Sequence, residues 1–386
     1  MNIFYKTVYL LIIFLISVSG FSACSSDEPL DKAEKERLIL IYAVAANNLQ
    51  YNLKYDMQEI LDIAPKLNLT NNKVLVYSVV NSGECILQEL RKNKSGKYEF
   101  VTVLTFPELP LSTSGERIAE VMEAVVAKYD YPYKGLVLWS HADGWLPWGQ
   151  STPDFPDGDN EKRKSFGWDN YQGQTYKTNI TTLAEAIPAG TFDFIWFDCC
   201  YMANIETIYQ LRDKTDYVVA SVLEIAQDGM PYQLTMPYLL QKTPDLKSAA
   251  FEFYSYYDSH YIAVSVSITD ISQLEYLAEV TKSVFRLGTP PTALSNIQTY
   301  QRSLSEKFYD MGQLLRSYTN IDSQLEDALN DAFSNAVTYK LISDFDFNNK
   351  PINTRDYSGL SMHHYINSGS PNETFYQTLD WFMATR

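Results

Sequence analysis

The chain has 386 residues, 46% of them hydrophobic, and its 47 acidic side chains outnumber 31 basic ones for a formal net charge of −16. That length holds one large α/β domain with a smaller appended region. The acid excess argues against a nucleic-acid partner: the only basic triplet, Lys162-Arg163-Lys164, is too small to displace many counterions from a phosphate backbone.

The first element in the chain is a targeting segment, to be set apart from the fold. Lys6 supplies a positive charge, residues 8–18 form an almost unbroken apolar run, and Phe21-Ser22-Ala23-Cys24 has the pattern of a bacterial lipobox. The run falls short of the ~20 residues that a spanning helix needs. An ordinary signal peptide or a membrane anchor therefore fits less well than a lipoprotein leader over residues 1–23, with Cys24 as the lipidated first residue and 24–37 as a tether. Such a protein is held by its lipid in the cell envelope, outside the cytoplasm, at the outer membrane or the surface.

Strand-like runs follow at 38–45, 74–80, 84–90, 98–104, 136–140, 192–197, 217–221 and 262–268, with helical periodicity at 53–63, 114–128, 183–187, 203–212 and 271–285. Strand and helix alternate, as a mostly parallel sheet covered on both faces requires. The predicted fold class is therefore α/β, a three-layer α/β/α sandwich. Residues 146–166 form a polar loop rich in Pro, Gly and Asp. After the turn Gly288-Thr289-Pro290-Pro291 the pattern becomes mainly helical through 288–386, with Leu325, Leu329, Ala332, Ala336 and Val337 on one face and a returning strand at 360–366.

Two strand ends carry the chemistry. Trp139-Ser140-His141-Ala142-Asp143-Gly144-Trp145 follows one apolar run, and Phe197-Asp198-Cys199-Cys200-Tyr201-Met202 follows another. Open α/β sheets gather their ligands at the carboxyl ends of their strands. A cysteine there, with an imidazole beside it and a helix N-terminus after it, is how a thiol is made nucleophilic. The arrangement points to a cysteine hydrolase with Cys200 as nucleophile and His141 as base. Only one of Cys199 and Cys200 can face the cleft, because side chains alternate along a strand. A zinc site from Cys199, Cys200 and His141 is disfavoured, since consecutive cysteines rarely ligate one ion. Cys85 lies in a strand-like run and reads as a buried thiol. With Cys24 lipidated, three thiols remain, so no disulfide framework is expected.

Trp-Ser-His-x-x-Gly-Trp and Asp-x-Cys-x-Met-Ala-x-x-Glu (Asp198, Cys200, Met202, Ala203, Glu206) resemble the two active-site blocks of the clostripain family of cysteine peptidases. Three further blocks agree in family order: Ile41 to Leu49 with its Asn47-Asn48-Leu49 turn, Ser221 to Tyr232 through Glu224 and Asp228-Gly229, and Gly359-Leu360-Ser361-Met362. The resemblance implies a caspase-like peptidase domain over 38–386 and an endopeptidase that cuts after arginine or lysine through a Cys200–His141 dyad. Its substrates would be peptides or proteins with basic residues, and the membrane would be met only through the N-terminal lipid. Cys199 takes a position usually small in the family and is read as packing. Gly144 or its neighbours, with the Cys200 N–H, would hold the oxyanion.

Asp198 and Asp228 would select the basic side chain by charge and bidentate pairing. Asp198 could instead be a strand-end residue that hydrogen-bonds backbone, and Asp228 could simply form an Asp-Gly turn. Glu206 is read as loop support. Two departures mark a divergent member: Ala142-Asp143 replaces a glycine-rich pair, and Ala46 replaces an aspartate. No cofactor is implied by the residues. Calcium enters only through the resemblance, since Asp154, Asp157 and Asp159 lack the later bidentate glutamate of a calcium loop.

Lys162, Arg163 and Lys164 lie between the base and the nucleophile, where family members cut themselves to mature. The triplet reads equally as a self-cleavage site or as a solvated loop. The alternative function is a catalytically weak or inactive lipoprotein of the same fold that binds extracellular protein or glycan. Intact His141, Cys200 and Asp198 favour the enzyme. A related peptidase with non-basic specificity is the other alternative.

Overall fold

Continuous apolar strands are the organising feature. Ordinary half-buried strands alternate polar and apolar residues, whereas strands covered on both faces are apolar throughout. Arg37–Ala43 (β1) is buried at every position. The computed structural model describes residues 35–79, 83–147, 166–300 and 307–386. Cys24, the triplet 162–164 and the acidic loop with Asp154, Asp157 and Asp159 lie outside the described residues.

The remaining strands follow in chain order: Lys73–Val79 (β2), Cys85–Lys92 (β3), Tyr98–Phe106 (β4), Tyr133–Trp139 (β5), Phe166–Tyr171 (β6) and Gln174–Thr178 (β7). Then come Phe192–Asp198 (β8), Thr215–Ala220 (β9), Ser265–Asp270 (β10), Phe308–Asp310 (β11), Val337–Ile342 (β12) and Ser361–His363 (β13). The main sheet has nine strands among the described residues, in the order β12-β10-β9-β8-β5-β1-β2-β3-β4. Its centre, β9 to β2, is parallel. β3 and β4 extend one edge antiparallel, and β10 and β12 the other.

Alternation along the central strands sends side chains into two cores. Leu40, Leu138 and Phe197 pack on one face with Ile118 and Val121 of helix Gly115–Lys128 and with Leu277 of helix Leu274–Leu287. Ile41, Val137 and Trp196 pack on the other with Leu53 and Ile60 of helix Gln50–Ile63 and with Phe253 of helix Leu246–Ser259. The three-layer α/β/α sandwich is thus present, with a mostly parallel sheet. Among the described residues no helix is long and apolar enough to cross a membrane.

Three stretches differ from the sequence expectation. The helix predicted through Val337 stops at Ala336, and Val337 opens β12, which joins the edge of the main sheet. Val337-Thr338-Tyr339 is β-branched and aromatic, so the chain leaves the helix there. The hairpin β6–β7, which begins at Phe166, was not among the expected strands. The returning strand is short and pairs with β11 in a separate two-stranded sheet, with one bridge from Ser361 to Asn204.

One polar residue interrupts the buried face of helix Gln50–Ile63. Asp56 sits among Leu53, Ile60 and Ile63, and accepts the Trp139 indole N–H at 2.8 Å. Burial, and next the nearby Asp198 carboxylate, push its carboxyl up to about 9. An acid raised this far in the folded chain binds a proton that the unfolded chain has lost, so stability falls as pH rises from about 4 towards 9. Asp56→Asn keeps the acceptor and removes the titration. Its melting temperature should match or exceed that of the unaltered protein at pH 5, and the margin should widen steadily to pH 8. A margin independent of pH would show that Asp56 is ionised in the fold.

Candidate active site

Strand register places the two reactive loops side by side. In the parallel pair β5–β8, Trp139 stands opposite Asp198. His141 follows Trp139 by two residues and Cys200 follows Asp198 by two, so both leave the carboxyl edge of neighbouring strands at the same level. They line one cleft of about 490 Å³.

The His141 loop is sewn to the end of β1. Val44 N–H donates to the Trp139 carbonyl at 3.0 Å, and Ser140 Oγ donates to the Val44 carbonyl at 2.8 Å. Gly167 N–H from the hairpin binds the His141 carbonyl at 3.0 Å, and Trp168 packs its ring 4.9 Å from the imidazole. Asn48 Oδ1 lies 2.9 Å from His141 Nε2. Asn47, one residue earlier, fixes this turn through the Val44 and Trp168 carbonyls and the Leu49 N–H. Asn48 was visible in the sequence only as part of a turn. Its contact with the imidazole is made 93 residues away.

Cys200 is half-buried, whereas Cys199 is buried in the core. Burial pushes the Cys199 thiol well above its usual range. Ile225 holds the Cys200 sulfur from its backbone: its N–H points at Sγ from 3.3 Å, and the thiol donates to its carbonyl at 3.7 Å. The turn after Cys200 puts Tyr201 at φ +60° and ties back through Tyr201 N–H to the Leu223 carbonyl and Ala203 N–H to the Ser221 carbonyl. The following helix begins at Ile205 with Asn204 as its N-cap, two residues later than the periodicity that starts at 203. Any help from that helix reaches the sulfur across the intervening turn.

Asp198 forms the inner wall of the cleft. It is 3% exposed, and its Oδ2 accepts from Met230 N–H and Tyr232 Oη–H, each at 3.0 Å. Its other oxygen, Oδ1, is buried and has no hydrogen-bond partner among the described residues. Burial raises this carboxyl to about 6. Gly229 is required beside it: φ is +63°, and a Cβ there would come within 3.1 Å of Asp198 Oδ2. Asp228 is exposed on the same turn, and the cleft wall runs from Gln227 to Gly229 without it.

Gly144 is not among the residues that line the cleft. At φ +68° its missing Cβ leaves room for Asn204 Nδ2 and the Phe308 ring, so this glycine serves packing, while Ala142 and Asp143 line the cleft. Glu206 is fully buried and receives His363 N–H at 2.8 Å and Tyr376 Oη–H at 3.2 Å, fastening the C-terminal segment under the nucleophile loop. Among the described residues no three His, Cys, Asp or Glu side chains converge as metal ligands.

The sequence matches the Clostripain family over residues 41–373. No curated protein sequence matches it. Among solved structures it is similar to a secreted C11 cysteine protease from Bacteroides thetaiotaomicron in complex with an irreversible peptide inhibitor, at 26% identity and TM-score 0.77, covering 91% of this chain and 99% of that one. It is also similar to an inactive zymogen C11 protease from Parabacteroides distasonis, at 25% identity and TM-score 0.77, covering 91% and 98%. A further secreted C11 protease from Bacteroides thetaiotaomicron, iotapain, shares the fold at 23% identity and TM-score 0.77, covering 92% and 100%. Motif order, a caspase-like sandwich and a match across most of the sequence agree: the chain belongs to the clostripain family and is a cysteine protease.

Proposed function

We propose that this protease is an endopeptidase that cuts after arginine or lysine through a Cys200–His141 dyad. The observation that carries the reading is Asp198: a buried carboxylate with one unpartnered oxygen in the same cleft as the thiol and the imidazole. A buried acceptor left without a donor is costly unless a ligand supplies one. A guanidinium or ammonium does so with full charge complementarity.

His141 takes the thiol proton as Sγ attacks the carbonyl carbon, and returns it to the leaving amine when the C–N bond breaks. Water then attacks the thioester, again with the imidazole as base, and releases the acid and the free thiol. Asn48 holds the ring in the orientation this requires. The Cys200 N–H and the backbone of the Ala142–Asp143 turn are the donors nearest to the developing oxyanion.

The triplet Lys162-Arg163-Lys164 between base and nucleophile is the self-processing site of this reading, and the zymogen form of the Parabacteroides distasonis relative supports it. Export with a lipid on Cys24 is supported by the lipobox pattern, and the Bacteroides thetaiotaomicron relative is itself secreted.

A panel of matched peptide substrates varying only the residue before the cut tests the proposal. Arginyl and lysyl peptides should be cleaved at least ~100-fold better than citrullyl or alanyl ones, because a neutral residue leaves Asp198 unpaired. Equal rates across the panel would remove basic selectivity while leaving the protease assignment intact. New N-termini at 163, 164 or 165 that form in the active protein and are absent from Cys200→Ala would establish self-processing.

A further inference from the structure

The C-terminal region contributes to the catalytic cleft through one turn. After β12 the chain doubles back over residues 344–352, with Phe345 bridging Pro351 and Ile352 N–H bound to the Asp344 carbonyl at 2.9 Å. Asp346 holds the tip rigid: its Oδ1 accepts from Asn348 N–H at 2.8 Å and Lys350 N–H at 2.9 Å, and its own N–H donates to the Lys350 carbonyl at 2.9 Å. Asn349 takes φ +58° to close the turn. Phe347 stands at this tip, half-buried, and lines the cleft with Asp198, Cys200 and Gly229.

Topology fixes the side from which Phe347 arrives. β10 is antiparallel to β9 and β12 antiparallel to β10, so β12 ends at the same sheet edge as the catalytic strands. It lies beyond β9, on the side of Cys200 away from His141. That is the side of the Glu224–Gly229 segment, which follows β9 and closes over Asp198.

We propose that Phe347 is a specificity-determining residue, the aromatic wall of the slot above Asp198, stacking on the cationic side chain after which the chain cuts. The proposal rests on the basic-residue reading of Asp198 and adds to it a preference for arginine over lysine. A long basic side chain carries an apolar stem and a charged end. The carboxylate satisfies the charge, while an aromatic face suits the planar, weakly hydrated guanidinium better than the compact ammonium. Ile225 and Ala226 complete an apolar passage for the stem.

Steady-state kinetics on Phe347→Ala and Phe347→Leu, with matched arginyl, lysyl and citrullyl peptides, tests this. Phe347→Ala should lower kcat/KM for the arginyl peptide about tenfold, mainly through KM, and for the lysyl peptide about threefold. Phe347→Leu keeps apolar bulk without the π face, so its arginine-to-lysine ratio should stay reduced. The rate of Cys200 alkylation by iodoacetamide should be unchanged in both variants. An unaltered arginine-to-lysine ratio in both variants, or an equal loss on all three peptides, overturns the aromatic wall and leaves the Asp198 reading standing. A wild-type enzyme that cuts citrullyl and arginyl peptides equally well overturns the Asp198 reading, and the aromatic wall with it.

Discussion

Cys200→Ala is expected to abolish peptide hydrolysis, by at least ~10³-fold, and His141→Ala to be almost as inactive. The double variant should be little worse than either, because a nucleophile and its base act as one unit. Cys199→Ala should retain most of the turnover. The two adjacent thiols differ in surroundings and not in chemistry: Cys200 is half-buried at the cleft with Ile225 N–H directed at its sulfur, whereas Cys199 is 2% exposed within the core. Asn48→Ala should fall between these extremes, at roughly 10- to 100-fold, since it removes one hold on the imidazole without removing the ring. Kinetics paired with melting curves decide the series. A Cys199→Ala protein that melts normally and has lost its activity would reassign the nucleophile.

What the sequence made legible follows from how each group is held. His141 and Cys200 follow the apolar runs 136–139 and 194–197, and a parallel strand covered on both faces is the easiest strand to recognise. Their neighbourhood then follows from register alone. Asp198 was legible for the same reason, being the last residue of β8. Asp56 breaks the apolar stripe of its helix at a buried position, a signal present in the spacing but interpretable only once Trp139 is seen to donate to it. Asn48 and Phe347 reach the cleft from turns distant in the chain, where no periodicity applies. β12 was hidden because the apolar spacing of the preceding helix runs on through Val337, and no glycine or proline marks the stop. Gly144 carries a second constraint that its motif position did not reveal: a Cβ there would meet Asn204 and Phe308.

The selectivity of the slot should depend on pH through Asp198. Burial raises this carboxyl to about 6 in the free protein, so it is ionised at pH 7 and largely protonated at pH 5. Protonation leaves the slot neutral and removes the attraction for a basic side chain. The ratio of kcat/KM for an arginyl peptide to that for its citrullyl isostere should therefore drop about tenfold between pH 7 and pH 5. Taking the ratio cancels the titrations of His141 and Cys200, which weigh on both substrates alike. Asp198→Asn should lower arginyl cleavage by roughly 30- to 1,000-fold, the cost of leaving a desolvated cation without its partner, and should make the ratio independent of pH. The introduced amide has little freedom to compensate. Met230 N–H and Tyr232 Oη–H both point at the Oδ2 position, so the amide oxygen must take that place, and the NH₂ would face the slot as a donor set against the incoming cation. A wild-type ratio that stays level from pH 7 to pH 5 would move charge selection to another acid, with Asp228, exposed on the turn beside Gly229, as the group to replace next.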